Sequence, residues 1–213
     1  MTYVYWDLET EPLTPGEIAK FRPTFEAPSN FKDPAKIEAR LREQAAEWDE
    51  KVALDAKTAR ILAAGVAIDS DPAITVEGTE AQIIGSLLEL FENAVNRGSS
   101  IIGFNSERFD WPFLRHRALI GGIHFPRNFL SPWKGRFYWN ENLKDTYLLW
   151  TMGQSVGTVS NGLDNLARAF GLEGKLGNGA NFAELYREDP EAARAYLKQD
   201  VELTRALWQR LNI

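Results

Sequence analysis

Apolar residues recur along this chain with two periods, and the switch between them marks out the elements. Tyr3-Val4-Tyr5-Trp6 is a β-branched and aromatic run that predicts a strand, with Asp7 at its end. Arg60 to Ile68 (RILAAGVAI) predicts a second strand and Ala73 to Val76 a short third, with Asp71-Pro72 turning the chain between them. From Glu80 to about Asn96 the period becomes helical: Ile83, Ile84, Leu87, Leu88 and Phe91 fall on one face. Ser100 to Phe104 is a short apolar strand ended by Asn105, and Trp111 to Leu119 reads as a helix. Another helix spans Leu163 to Phe170 and is closed by Gly171, and the last runs from about Pro190 to Leu211.

A long interruption separates the first two strands. Glu11 to Asp33 holds Pro12, Pro15, Pro23 and Pro28 and reads as irregular. Pro34 to about Lys57 follows the Asp33 cap, is rich in Ala, Glu, Lys and Arg, and reads as a helix. Strands alternating with helices after a β-rich start predict an α/β domain with a mixed sheet. The 11–57 segment reads as a helical insertion between the first two strands, either a flap over a site or a solvated helix without a role.

The 213-residue length suits one well-packed domain over 1–213. Hydrophobic content of 44% and charged content of 25% are ordinary for a soluble globular protein. No apolar run approaches a membrane span, and the first residues carry no basic leader or apolar core, so a cytoplasmic protein without a membrane partner is expected. There is no cysteine, which excludes disulfides and thiolate metal sites. With only His116 and His124, a metal here would be held by oxygen, which favours Mg²⁺ or Mn²⁺. The net charge of −6 argues against a protein that coats nucleic acid through a broad basic surface. It leaves room for an enzyme that grips a few nucleotides where carboxylates are offset by bound cations.

The acidic residues sit at suggestive places. Asp7 and Glu9 are one residue apart along a strand, so period-two geometry puts both on one face. Such close carboxylates repel and favour a shared cation, although a lone Asp-x-Glu is also an ordinary polar strand end. Asp110 follows Ile101-Ile102-Gly103-Phe104-Asn105-Ser106-Glu107-Arg108-Phe109 and precedes an apolar helix; taken alone it is a helix cap, and Asn105 a turn residue. Tyr196 and Asp200 are four apart in the last helix and share a face. Leu197, Val201, Thr204, Trp208 and Leu211 form the seam of that helix that must meet the core. Asp200 lies about 60° from Leu197 and Tyr196 about 100° from it, so Asp200 borders the buried seam. An aspartate there is costly unless it is paired or ligates a cation.

At these residues the sequence resembles the DEDD superfamily of 3′–5′ exonucleases, whose fold is ribonuclease H-like. Tyr5-Trp6-Asp7-Leu8-Glu9-Thr10 resembles the first motif, a strand ending in D-x-E-T. Asn105 to Asp110 resembles the second, N-x-x-x-F-D, in the form used by family-B DNA polymerase proofreading domains. Tyr196-Leu197-Lys198-Gln199-Asp200 resembles the third, Y-x-x-x-D, and its tyrosine places the chain with the DEDDy branch. The chain is similar to stand-alone relatives of the proofreading domain, with no polymerase region; the long insertion after Glu11 is its departure from them.

The resemblance implies two divalent cations, Mg²⁺ or Mn²⁺. Asp7 would be shared by both, Glu9 and Asp200 would complete the site of the one that activates water, and Asp110 would hold the second, partly through water. Tyr196 would orient the attacking water. Leu8, Thr10, Asn105, Phe109 and Lys175 are the expected substrate contacts, Phe109 by base stacking as readily as by core packing. Asp145 would support the site, with a structural cap the plainer reading. Gly174 to Gly179 reads as a flexible loop without phosphate-loop spacing. Trp111, Trp133 and Trp139 are candidates for a wall against which single strands stack, as well as for packing. The implied substrate is the 3′ end of single-stranded DNA, released as nucleoside 5′-monophosphates. The alternatives are an exoribonuclease acting on RNA or short oligoribonucleotides and a non-catalytic nucleic-acid-binding module of the same fold. A polymerase or replication partner, and roles in DNA repair or replication, stay open.

Overall fold

The computed structural model describes residues 2–133, 136–153, 160–174 and 182–211. The first strand, β1 (Tyr3–Pro12), is longer than its apolar run predicts. Asp7 and Glu9 therefore lie within it rather than beyond it. Its neighbour β2 (Ala59–Ile68) is just as long, and strand pairing continues where hydrophobicity stops. The third strand, β3 (Ile74–Val76), pairs antiparallel with β2. The turn between them is set by Asp69 at φ 47°, with the Asp71 N–H donating to the Ile68 carbonyl at 2.9 Å, so it lies ahead of Pro72. β4 (Ser100–Gly103) and β7 (Leu143–Asp145) run parallel to β1, giving the order β3-β2-β1-β4-β7. A separate hairpin joins β5 (Leu130–Trp133) to β6 (Arg136–Trp139). Among the described residues, no helix is long and apolar enough to cross a membrane.

The chain divides into two compact units. The first, Met1–Glu9 with Ile61–Ile213, holds the sheet and most helices. Side-chain parity along β1 assigns its two faces. Trp6 points to one, where it meets Phe91 of α3 (Glu80–Asn96) and Trp111 of α4 (Asp110–Ile120), with ring centroids 4.8 and 4.6 Å away. Tyr5 points to the other, where it packs with Ala67, Ile102, Val201 and Trp208, the last two on α8 (Pro190–Leu211). Among the described residues this unit also holds three shorter helices: α5 (Thr146–Thr151), α6 (Leu163–Ala169) and α7 (Phe182–Glu188). The Glu80 carboxylate ties the α3 face together. It accepts from Arg117 Nε at 2.8 Å and Nη2 at 2.6 Å, and from the Ile61 N–H at 2.8 Å.

The second unit, Thr10–Arg60, is the insertion. It contains α1 (Pro15–Ile18), started by a capping box between Thr14 and Glu17, and α2 (Pro34–Lys51), capped by Asp33. The segment expected to be irregular thus carries a short helix. The long helix stops at Lys51 instead of near Lys57, because Asp55 turns the chain. Its side chain accepts from the Lys57 N–H at 2.9 Å, and its carbonyl accepts from Thr58 and Ala59. The Arg22 guanidinium lies over the Phe25 and Trp48 rings and pairs with Asp49, which fastens the stretch before α2 onto that helix.

Candidate active site

Strand parity brings the first two acids to the α8 face. Asp7 and Glu9 share the odd-numbered side of β1 with Tyr5, and α8 covers that side. The approach of α8 depends on β2. Ala63 and Ala67 face α8 through Leu197 and Val201, and Gly65 lies between them. A Cβ at Gly65 would come within 2.6 Å of Val201 Cγ2 and 3.1 Å of Leu197 Cδ1. Helix and sheet are therefore in contact at a bare backbone position. This close seat carries Asp200 to β1. Ligand oxygens of Asp7, Glu9 and Asp200 all lie within 4.8 Å of one another. Glu9 is 7% exposed and Asp200 1%.

The donor set fits a divalent cation. It consists of oxygen only, and it concentrates carboxylates, two of them buried, whose mutual repulsion a shared cation relieves. Hydrophobic packing against α8 holds them there, so the geometry is built before any ligand arrives.

Tyr196 belongs to the same group. It is 2% exposed, and its ring packs against Phe182 at 6.0 Å. The exposed tyrosine and solvated aspartate that isolated residues allow are thus replaced by a buried pair. The phenol hydrogen-bonds the Asp200 carboxylate. Burial, then the charges of Asp200 and Glu9, push its pKa well above the ordinary value, so the hydroxyl stays protonated and donates.

Asp110 is placed differently. It is 3% exposed, at the start of α4, and its Oδ1 accepts from the Leu8 N–H at 3.1 Å. It thus touches β1 between the two metal-type acids without joining the cluster of three. Burial pushes its carboxyl up to about 7, opposed by the backbone N–H groups of Leu8 and Asp110 and aided by Asp145.

Asp145 organises the turn before Asp110. One of its oxygens accepts from the N–H groups of Asn105, Tyr147 and Leu148 at 2.9, 2.9 and 3.3 Å, and the other from Glu107 at 2.9 Å. It is a cap for α5, as its local sequence suggests, and also a clamp on the Asn105–Asp110 turn. The clamp spans 40 residues, so no local pattern signals it. Asn105 adopts φ 57°, a left-handed conformation asparagine tolerates, and its carbonyl accepts from Arg108 and Phe109.

The remaining expected substrate contacts are dispersed. The Leu8 side chain is buried, on the Trp6 side of β1 and so opposite Asp7 and Glu9. Phe109 is half-buried, 5.5 Å from the ring of Phe113. Thr10 falls in the second unit, where its hydroxyl donates to the Ala53 carbonyl at 2.7 Å. Lys175 lies outside the described residues, as does the loop beyond Gly174. The expected tryptophan wall is not formed by Trp111, which is fully buried among Trp6, Phe91, Phe129 and Trp139. Its neighbours are aromatic on several sides, and that packing takes the faces a base would need. Trp139 is half-buried and donates to the Glu107 carbonyl at 3.2 Å; the Trp133 side chain lies outside the described set. The roles of Gly65 and of the long-range Asp145 clamp have no local sequence pattern. The small-residue run Ala63-Ala64-Gly65 is visible in the sequence, but only its contact with α8 gives that run meaning.

The comparisons bear on the fold and the family. No curated protein matches the sequence. Among solved structures, the family B DNA polymerase from the hyperthermophilic archaeon Pyrobaculum calidifontis superposes with a TM-score of 0.66 at 17% identity. The likeness covers 100% of this chain and 24% of that polymerase, so the present chain spans about a quarter of its length. The likeness establishes the mixed, ribonuclease H-like α/β fold. The profile of a family described as "predicted 3′-5′ exonuclease related to the exonuclease domain of PolB" matches residues 56–213. The match takes in Asp110, Tyr196 and Asp200 and begins inside the second unit, near its end, so Asp7 and Glu9 lie before it. The chain belongs to this family of predicted 3′–5′ exonucleases related to the PolB exonuclease domain.

Proposed function

We propose that this protein is a two-cation 3′–5′ exonuclease that removes nucleoside 5′-monophosphates from the 3′ end of single-stranded DNA. We read residues 1–213 as one exonuclease domain, with the second unit an elaboration of it. The observation that carries the reading is the convergence of Asp7, Glu9 and Asp200 within 4.8 Å, with Tyr196 bonded to Asp200.

Asp7, Glu9 and Asp200 would hold one cation, and Asp7 with Asp110 the second. When bound, the cations supply a nucleophilic water and neutralise charge developing on the departing 3′ oxygen. Asp7 is suited to the shared position because it clusters with Glu9 and Asp200 and is next to Leu8, where Asp110 reaches β1. Asp110 stays fixed by the Leu8 N–H, which leaves its other oxygen for a ligand or a bridging water. Tyr196 acts as a hydrogen-bonding group and not as a base, since its phenol is held protonated. Its proton steadies Asp200, and its oxygen accepts from the attacking water and orients it. Water adds to phosphorus as the bond to the 3′ oxygen breaks, leaving a shortened strand with a 3′-hydroxyl.

The test uses single-stranded DNA and RNA labelled at either end, with Mg²⁺, Mn²⁺ or EDTA. Mononucleotides should leave from the 3′ end, faster from DNA than from RNA, and EDTA should stop the reaction. Asp7→Ala should abolish it, and Tyr196→Phe should slow it while leaving Mn²⁺ binding nearly unchanged. Full activity in Asp7→Ala would overturn the assignment, and an unslowed Tyr196→Phe would remove the water-orienting role.

A further inference from the structure

Arg108 and Tyr147 form a pair that the carboxylate chemistry does not use. They leave adjacent strands at one edge of the sheet. Arg108 lies in the turn after β4, and Tyr147 is in the first turn of α5, after β7. The parallel register pairs Tyr5 with Ile102 and Gly103 with Asp145. Both turns follow the carboxyl ends of strands parallel to β1, the end of β1 toward which Asp7 and Glu9 lie. The Asp145 carboxylate binds N–H groups from both turns and fixes one against the other.

The consequence is a preorganised cation. The exposed Arg108 guanidinium lies 5.4 Å from the Tyr147 ring centroid, and the Tyr147 ring meets Phe104 edge-on at 5.8 Å. Four other arginines of this unit are committed to ion pairs: Arg117 to Glu80, Arg194 to Glu77, Arg205 to Glu202 and Arg168 to Asp164. Among the described residues, no carboxylate lies within ion-pair distance of Arg108. A cation–π contact leaves the guanidinium N–H donors without an acceptor, and their planar fork suits a phosphate. In a chain of net charge −6, a cation at an acidic edge helps draw a polyanion there.

We propose that Arg108, stacked on Tyr147, binds a backbone phosphate of the substrate strand upstream of the scissile linkage, as a positioning residue for a single-stranded nucleic acid. This rests on the exonuclease reading. The experiment measures binding of a 5′-fluorescein oligothymidylate by anisotropy, with Ca²⁺ in place of Mg²⁺, over roughly 50 to 200 mM NaCl. Degradation of the same strand with Mg²⁺ is followed in parallel. Arg108→Ala should weaken binding on the order of tenfold and lower the slope of log affinity against log salt by about 0.7, the loss of one phosphate contact on a single strand. Arg108→Lys should restore the slope, because the charge remains. Tyr147→Leu should weaken binding without changing the slope, because only the stack is lost. If the wild type degrades the strand and Arg108→Ala keeps its affinity and slope, the inference falls and the exonuclease reading stands. If the wild type neither binds nor degrades the strand, both fall.

Discussion

Asp110→Asn isolates the cost of holding a site acid ready inside the fold. The carboxyl is buried, and its pKa is pushed up to about 7 from the ordinary 3.8, chiefly by desolvation. Because the folded value lies above the unfolded one, the fold favours the protonated acid. That contribution is fully present below the unfolded pKa and is lost as pH rises through the folded pKa near 7. At 1.36 kcal/mol per unit, the cost of ionised Asp110 approaches about 4 kcal/mol above neutrality and is only about 1.5 kcal/mol at about pH 5. Asparagine keeps the shape and the oxygen that accepts from the Leu8 N–H, but it never ionises. In EDTA, the stability of Asp110→Asn relative to wild type should therefore grow by at most about 3 kcal/mol between about pH 5 and pH 8. Urea unfolding at the two pH values measures this, provided the m-values agree. A difference that does not change with pH would refute the reasoning. Adding Mn²⁺ should reverse the ranking at the higher pH, because ligands that must be deprotonated bind cations better there and bound ligand stabilises the wild type.

Two further substitutions test how the site is built. Gly65→Ala places a methyl 2.6 Å from Val201 Cγ2, and overpacking of this kind costs about 1–3 kcal/mol. The melting temperature should fall by roughly 2–10 °C for a chain of this size. Mn²⁺ affinity by calorimetry should weaken as α8 moves off β2 and takes Asp200 from Asp7 and Glu9. An unchanged melting point and affinity would show that α8 has room to spare. Asp145→Asn replaces an acceptor with an amide that cannot serve all four N–H groups. Losing a charged hydrogen bond costs about 1.5–3 kcal/mol. Melting temperature and strand degradation should both fall while Mn²⁺ binding to the cluster of three changes little. Degradation at the wild-type rate would remove Asp145 from the positioning of the Asn105–Asp110 turn.

What was legible in the sequence followed from periodicity. α3 and α8 match the spans read from their apolar spacing, because each buries a regular face. The angular position of Asp200 beside Leu197 already placed it at the seam; the structure buries it fully. β1 was read short because its apolar composition ends at Trp6, whereas pairing to β2 is a backbone property that carries polar residues along. β7 carries no signature in the sequence, because a three-residue strand is too short to show a period. Trp111 was open to a surface role because no local pattern distinguishes a packed tryptophan from a stacking one. The clamp of Asp145 and the contact at Gly65 depend on residues far away in the chain, which only the fold brings together.

The insertion between Glu9 and Ile61 bears on how such a site tolerates elaboration. Loop-closure entropy grows only logarithmically, at about 0.6 kcal/mol for each doubling of length. The inserted segment also forms its own turns, caps and ion pairs, which offset part of that cost. The parity of β1, by contrast, admits no change. A residue added between Tyr5 and Glu9 would turn Glu9 to the Trp6 side and break the cluster with Asp200. The chain between Glu9 and Ile61 is therefore free to vary in length at small energetic cost, while the spacing from Tyr5 through Glu9 is fixed by the sheet.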